Sequence, residues 1–258
     1  MTGKTEAYIL KEIEKNGAIH MTLIDPERVT PNEALYLAKE CEMCGSSAIM
    51  VGGSTIVSSA HLDLVVSSIK NRVKIPVILF PSNITGLSQY ADAVWFMSLL
   101  NSSDPYFIIG AQVLAAPLVR KYGLETIPLG YLIIGKGGAA AVIGKASPIP
   151  YNKPELSVAH ALAAQFLGMH FIYLEGGSGV NRPVPTEMVR IVKTIVDVPL
   201  IVGGGIRTGR QTKELVSAGA DIIVTGTIFE KVERKFLKNK IFEIMEGLKE
   251  GVRNRHHN

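Results

Sequence analysis

Residues 171–179 read FIYLEGGSG, residues 200–208 read LIVGGGIRT and residues 222–228 read IIVTGTI. Each is a short apolar run that ends in glycine. Continuous apolar runs of this length mark parallel strands covered on both faces, where alternation with polar residues would mark a half-solvated sheet. Working outward from them, five more such runs precede: 18–24, 48–51, 77–79, 93–97 and 127–134. Most of the gaps between runs leave room for a crossover helix.

Helical patterns are clearest at 31–43, 105–121, 154–167, 185–196, 209–218 and 231–249, several of them opened by proline in the first turn. Eight strands alternating with helices over 258 residues fit one (β/α)8 TIM barrel, an architecture of roughly 250 residues. The reading is therefore a single α/β domain spanning 1–258, with a doubly wound sheet as the alternative. One unit is short. Only FPSNITGLSQYAD, residues 80–92, separates the third and fourth runs, so a full third helix has no room there. Residues 135–152, rich in Gly, Ala and Pro, read as a mobile loop over the active face.

Composition narrows the function classes. With 47% hydrophobic and 19% charged residues, a large buried core is available and a disordered chain is excluded. No apolar run approaches the ~20 residues of a membrane span, and the N-terminal stretch reads as a charged amphipathic helix rather than a signal peptide, so a soluble cytoplasmic protein without stable membrane insertion is expected. A net charge of +4 suits phosphorylated substrates, and no nucleic-acid-binding motif accompanies it. The basic stretch 231–240 reads as the solvated face of the last helix. Cys41 and Cys44 form a C-x-x-C with no second Cys/His pair nearby, and packing is favoured over metal or redox chemistry.

In a TIM barrel the chemistry lies at the C-terminal ends of the strands, and phosphate is held by the loops after the last strands. Three glycine-rich turns fall there. Gly204 and Gly205 let backbone N–H groups approach an anion, and Gly226 and Thr227 lead into a helix start. The sixth run adds Tyr173, Ser178 and the backbone of Gly176, Gly177 and Gly179. One such turn is weak evidence, whereas three on successive strands point to a phosphate site. Glu175 beside that site is electrostatically awkward unless it takes a proton from a substrate hydroxyl, which makes it a candidate general base. The alternative is a carboxylate turned outward to a surface cation. Asp25, at the end of the first strand, is either a turn cap before Pro26 or, with Ser54 on the neighbouring loop, part of a Mg2+ site completed by substrate phosphates. His20 reads as a packed core histidine. On the fourth run, Trp95 and Phe96 face opposite sides, with core packing the expected role of both.

Taken in order, LIDPE at 23–27, VGGST at 51–55, ILFPSN at 78–83, PIPYNKPEL at 148–156, YLEGGSG at 173–179, VGGGIR at 202–207 and TGT at 225–227 resemble the geranylgeranylglyceryl phosphate synthase family, in its larger archaeal group. The resemblance spans nearly the whole chain. It implies transfer of a prenyl group from geranylgeranyl diphosphate to the C3 hydroxyl of sn-glycerol 1-phosphate, the first ether bond of archaeal membrane lipids. Residue by residue it implies glycerol phosphate contacts at Tyr173, Leu174, Glu175, Gly176, Gly177, Ser178, Gly179, Gly204, Gly205, Gly226 and Thr227, and Mg2+ at Asp25 and Ser54. It further implies a barrel whose third helix is irregular, and a homo-oligomer built from dimers. The apolar helix 105–121 is a candidate for the covered surface. A longer-chain prenylglyceryl phosphate synthase, a phosphate-binding isomerase and a non-catalytic phosphate-ligand sensor are the competing readings.

Overall fold

The computed structural model describes residues 2–55, 58–230 and 232–255. Eight parallel strands close into a barrel in sequence order: β1 (Ile19–Ile24), β2 (Ala48–Val51), β3 (Val77–Leu79), β4 (Ala93–Leu99), β5 (Glu125–Gly137), β6 (Phe171–Gly177), β7 (Leu200–Gly203) and β8 (Ile222–Thr225), with β8 pairing back to β1. The doubly wound alternative is excluded by that closure. All eight runs read from the sequence are strands, and the largest boundary change is in β5, which is longer at both ends.

The helices are α1 (Lys4–Asn16), α2 (Pro31–Met43), α3 (Ser59–Lys70), α4 (Ala111–Tyr122), α5 (Gly138–Ile143), α6 (Pro154–Phe166), α7 (Thr186–Lys193), α8 (Gly209–Ser217), α9 (Thr227–Glu230) and α10 (Arg234–Arg255). Sequence reading passed over α3, whose buried residues Leu62, Val65, Val66 and Ile69 carry helical spacing, with Ser58 capping its start. The last helix was expected from Lys231, a residue outside those described. Its observed span begins at Arg234 and runs to Arg255.

Alternation along the strands sorts the core into layers. Ile19, Met21, Trp95, Leu129, Tyr131, Phe171, Tyr173 and Val224 fill the barrel interior, and Ile9 of α1 packs with them. The start of α1 is held by Glu125, whose carboxylate accepts from the backbone N–H groups of Thr5 and Glu6 at 2.8 Å each. Residues of opposite parity pack outward into two helical layers, such as Ile24 and Val94 with α2 and α3, or Leu174 and Ile223 with α7 and α8. Trp95 lies in the interior and Phe96 against the outer layer, as their alternation requires. Cys41 is buried in the outer layer, and burial pushes its thiol pKa up to about 12, so C-x-x-C here serves packing.

Between β3 and β4 there is no crossover helix, only a 3-10 turn at Ile84–Gly86. The segment 135–152 corrects its expectation. It holds more regular structure than its composition suggests: β5 continues to Gly137, α5 follows, and Asn101 donates to the carbonyls of Ile133 (2.9 Å) and Ser147 (3.0 Å). Ser102 and Ser103 hydroxyls add bonds to the carbonyls of Gly144 and Lys145. Satisfying these buried backbone groups is what lets a glycine-rich stretch keep one shape. Among the described residues no helix is long and apolar enough to cross a membrane.

Candidate active site

The C-terminal ends of the strands surround a cavity of about 460 Å³. One end is polar, bordered by Glu175, Ser178, Gly179, Gly226 and Thr227. A second polar wall carries Asp25, Arg28, Gly53 and Ser54. The remainder is apolar and runs out through the sector that lacks a helix, past Phe80, Trp95, Phe96, Met97, Phe107, Ala111, Ala115 and Val119.

Glu175 is inside the barrel, 6% exposed, which overturns the outward-facing alternative. Strand parity decides it: Phe171, Tyr173 and Glu175 share the inner face. For the same reason the Leu174 side chain faces away from the cavity and is buried in the outer layer. The Glu175 Oε1 accepts from the Gly177 N–H at 2.6 Å, and the Tyr173 and Tyr131 hydroxyls lie near enough to the carboxylate to favour its anion. Burial raises its pKa above the usual glutamate value, while those three donors favour the anion and limit the rise. Burial and the carboxylate together push both phenols well above their ordinary value, so they stay protonated as donors. A carboxylate offers about four acceptor positions. The Gly177 N–H takes one of them, so acceptor positions remain for a ligand hydroxyl.

The glycines of the second loop follow from this packing. A Cβ at Gly203 would overlap the Tyr173 hydroxyl, and one at Gly204 would overlap Glu175 Oε1. Gly204 and Gly205 also have positive φ, 80° and 72°. The loops after β6 and β8 meet where Ser178 Oγ lies 3.3 Å from Thr227 Oγ1. Arg207 ties the β7 loop to the β6 loop, its Nη2 donating to the carbonyls of Gly179 (3.3 Å) and Val180 (3.2 Å). Of the expected phosphate contacts, Glu175, Ser178, Gly179, Gly226 and Thr227 border the cavity. Tyr173, Gly176, Gly177, Gly204 and Gly205 stand behind that wall and shape it.

Asp25 has both roles open to it. Its Oδ1 accepts from the Glu27 N–H at 3.1 Å, capping the turn Pro26–Arg28, and its Oδ2 accepts from Arg28 Nε at 3.2 Å. It nevertheless lines the cavity, next to Ser54 across Gly53, where a side chain would collide with the carboxylate. Among the described residues no group of three or more His, Cys, Asp and Glu could hold a metal. One carboxylate beside a hydroxyl fits Mg2+, which keeps waters and takes substrate phosphates, and does not fit a metal needing a full protein cage.

Sequence reasoning missed Tyr131 and Phe80. Phe80 stacks on Tyr173 (centroids 5.5 Å apart) and meets Tyr131 edge-on at 5.5 Å, so three rings back the carboxylate. The available signal was parity on β5, which sends Ile127, Leu129, Tyr131 and Ile133 inward together.

Residues 10–248 match the model of the PcrB family. The chain is 54% identical over 252 residues to the geranylgeranylglyceryl phosphate synthase of Thermofilum pendens, covering 98% of each chain. It is 54% identical over 248 residues to the synthase of that name from Pyrococcus abyssi, covering 96% of this chain and 98% of that one. The chain belongs to the PcrB family. It is a prenyltransferase. The crystal structure of (S)-3-O-geranylgeranylglyceryl phosphate synthase from Thermoplasma acidophilum in complex with substrate sn-glycerol-1-phosphate superposes with a TM-score of 0.91. It is 42% identical, over 97% of this chain and 100% of that one. Thiamine phosphate pyrophosphorylase from Pyrococcus furiosus, TM-score 0.60 and 14% identical over 92% of this chain and 98% of that one, shares the fold.

Proposed function

We propose that this PcrB-family protein transfers the C20 group of geranylgeranyl diphosphate to the C3 hydroxyl of sn-glycerol 1-phosphate, with Mg2+ as cofactor. The observation that carries this reading is the continuity of one cavity. Its polar end presents Glu175, Ser178 and Thr227, and its other end is an apolar groove between β4 and α4. The glycerol phosphate of the Thermoplasma acidophilum complex supports the acceptor. An isomerase of small polar sugars has no use for the groove, and a sensor has no use for a buried carboxylate at the cavity wall.

In the proposed reaction the acceptor phosphate lies against Ser178, Gly179, Gly226 and Thr227, shaped from behind by Tyr173, Gly176, Gly177, Gly204 and Gly205. That places the C3 hydroxyl on Glu175. The diphosphate lies toward Asp25, Ser54 and Arg28, with its prenyl chain in the groove. The allylic C–O bond breaks with its electron pair going to the diphosphate, the C3 oxygen bonds to the prenyl carbon, and the hydroxyl proton passes to Glu175. Mg2+ bound at Asp25 and Ser54 would supply charge neutralisation on the departing diphosphate. Apolar walls at the reacting carbon keep water from capturing it first. We place the protein in the cytoplasm as a homo-oligomer, with exposed Ile109, Val113 and Leu114 on the covered face.

The test is incubation with glycerol 1-phosphate and labelled C15, C20 and longer prenyl diphosphates, with and without Mg2+. An organic-soluble C20 product that requires the metal, and that Asp25→Asn no longer forms at low metal, is expected. Preference for a longer diphosphate would move the assignment to a longer-chain synthase, and no product from any combination would sink it.

A further inference from the structure

Outside the cavity, one buried polar cluster is not used by the chemistry above. His20 of β1 is fully buried on the outer face of the barrel. Its Nδ1 lies 2.8 Å from Ser46 Oγ and its Nε2 2.8 Å from Thr225 Oγ1, and Ser46 Oγ lies 3.2 Å from Thr22 Oγ1. The ring edge meets Phe229 of α9, with centroids 6.0 Å apart and planes at 76°. Burial lowers the imidazole pKa to about 3, so the ring is neutral and can donate from one nitrogen while accepting at the other.

The placement of these partners matters more than their number. Thr225 is the last residue of β8, and Phe229 lies four residues on. Between them are Gly226 and Thr227, which border the cavity, and the turn is closed by the Phe229 N–H donating to the Gly226 carbonyl at 2.8 Å. A single ring therefore grips the segment on both sides of its cavity-lining residues. From Thr227 the hydroxyl contact to Ser178 carries the connection to the β6 loop. The other nitrogen anchors the ring to Ser46, just before β2, so the turn is referenced to a neighbouring strand as well as to its own.

We propose that His20 is a positioning residue for the acceptor-phosphate turn, fixing Gly226 and Thr227 at the cavity wall through Thr225 and Phe229. This rests on the reading that the turn holds the phosphate of glycerol 1-phosphate. A histidine that only filled core space would support both substrates alike. A positioning role acts on one of them.

Thr225→Val keeps the shape and removes the hydroxyl, and His20→Gln removes the bridging ring. Steady-state kinetics with each substrate varied, alongside thermal unfolding, separate the two roles. Loss of the His20–Thr225 hydrogen bond is expected to raise KM for glycerol 1-phosphate about 10-fold in Thr225→Val, and at least as much in His20→Gln, which also loses the Ser46 and Phe229 contacts. KM for the prenyl diphosphate and kcat should stay within about 3-fold, and the double variant should be no worse than His20→Gln alone, because that change already breaks the link to Thr225. Where His20→Gln does not fold, Thr225→Val alone carries the test. A KM for glycerol 1-phosphate that is unchanged, or that rises only in step with the KM for the diphosphate, overturns the role of His20. Calorimetric titration keeps the two levels apart. Wild-type protein that fails to bind glycerol 1-phosphate overturns the substrate reading itself, whereas variants that bind it as tightly as wild type overturn only the inference.

Discussion

The two halves of the barrel mouth are made by opposite means. On the β6–β8 side the site is made by addition of backbone: three glycine loops packed so closely that Gly203 and Gly204 leave no space for a side chain. On the β3–β4 side it is made by omission, since the absent crossover helix leaves a channel walled by Phe96, Phe107, Ala111, Ala115 and Val119. The first half suits an anion, because backbone N–H groups and hydroxyls are fixed donors that need no reorganisation. The second suits a hydrocarbon chain, whose binding is non-directional and scales with apolar area. Glu175 and Tyr131 stand where the halves meet.

The largest effect should come from that junction. Glu175→Gln keeps the shape and removes the base, and turnover is expected to fall by roughly two to four orders of magnitude. Binding of glycerol 1-phosphate by calorimetry should be largely spared. Because burial raises the Glu175 pKa, the acid limb of the wild-type rate profile should lie above the ordinary glutamate range, with activity lost as pH falls through it. Unchanged turnover in the variant would remove Glu175 from the mechanism.

A substitution confined to each half should then affect one substrate and not the other. Gly204→Ala forces a side chain into a residue at φ 80° and against Glu175. KM for glycerol 1-phosphate should rise by roughly 10- to 100-fold, equivalent to the ~1–3 kcal/mol of strain such a residue carries. The prenyl diphosphate should bind as before. Ala115→Trp is the converse, filling the channel. Competition between C10 and C20 diphosphates should shift toward the shorter one by about 10-fold, since excluding two methylenes' worth of chain costs about 1.6 kcal/mol. Equal losses on both substrates in either variant would mean that the halves are not separable.

The same contrast explains what could be seen in the sequence. The barrel was legible because the strands are buried apolar runs, and the glycine-loop side because tight backbone approach demands glycine, which is visible as VGGGIR and YLEGGSG. The groove was only half legible. The short segment 80–92 reveals that a helix is missing, but which side chains wall the gap depends on how α4 and the π-helical turn Tyr106–Gly110 lie across it. Leu174 turns its side chain away and Tyr131 was overlooked for one common reason, that a motif names consecutive residues while a strand sends only alternate side chains to the cavity. The helix α3 was passed over because its pattern, SAHLDLVVSSIK, mixes serines and β-branched residues of modest helix propensity, and tertiary packing decides it. The segment 135–152 has loop composition, and its strand end and helix are joined by long-range bonds from Asn101 and Ser102 that local sequence does not encode.

A last prediction concerns stability, on the polar side of the comparison. His20 is neutral when folded, with its pKa held at about 3, and takes up a proton near pH 6.5 when unfolded. Between those values the unfolded chain binds the extra proton. The contribution of His20 is therefore intact above about pH 6.5 and is eroded as pH falls toward about 3, at no more than ~1.4 kcal/mol per pH unit. Several carboxylates with lowered pKa, Glu33 and Glu243 among them, act in the same direction, so the slope of the whole protein does not isolate the histidine. The difference between wild type and His20→Gln does. Trp95 is the single tryptophan and lies in the groove wall, so its fluorescence in urea titrations from pH 7 to pH 4 follows unfolding from the apolar side. The wild-type midpoint should fall more steeply with acid than that of the variant, and parallel curves would show that the turn after β8 is held by something other than a neutral imidazole.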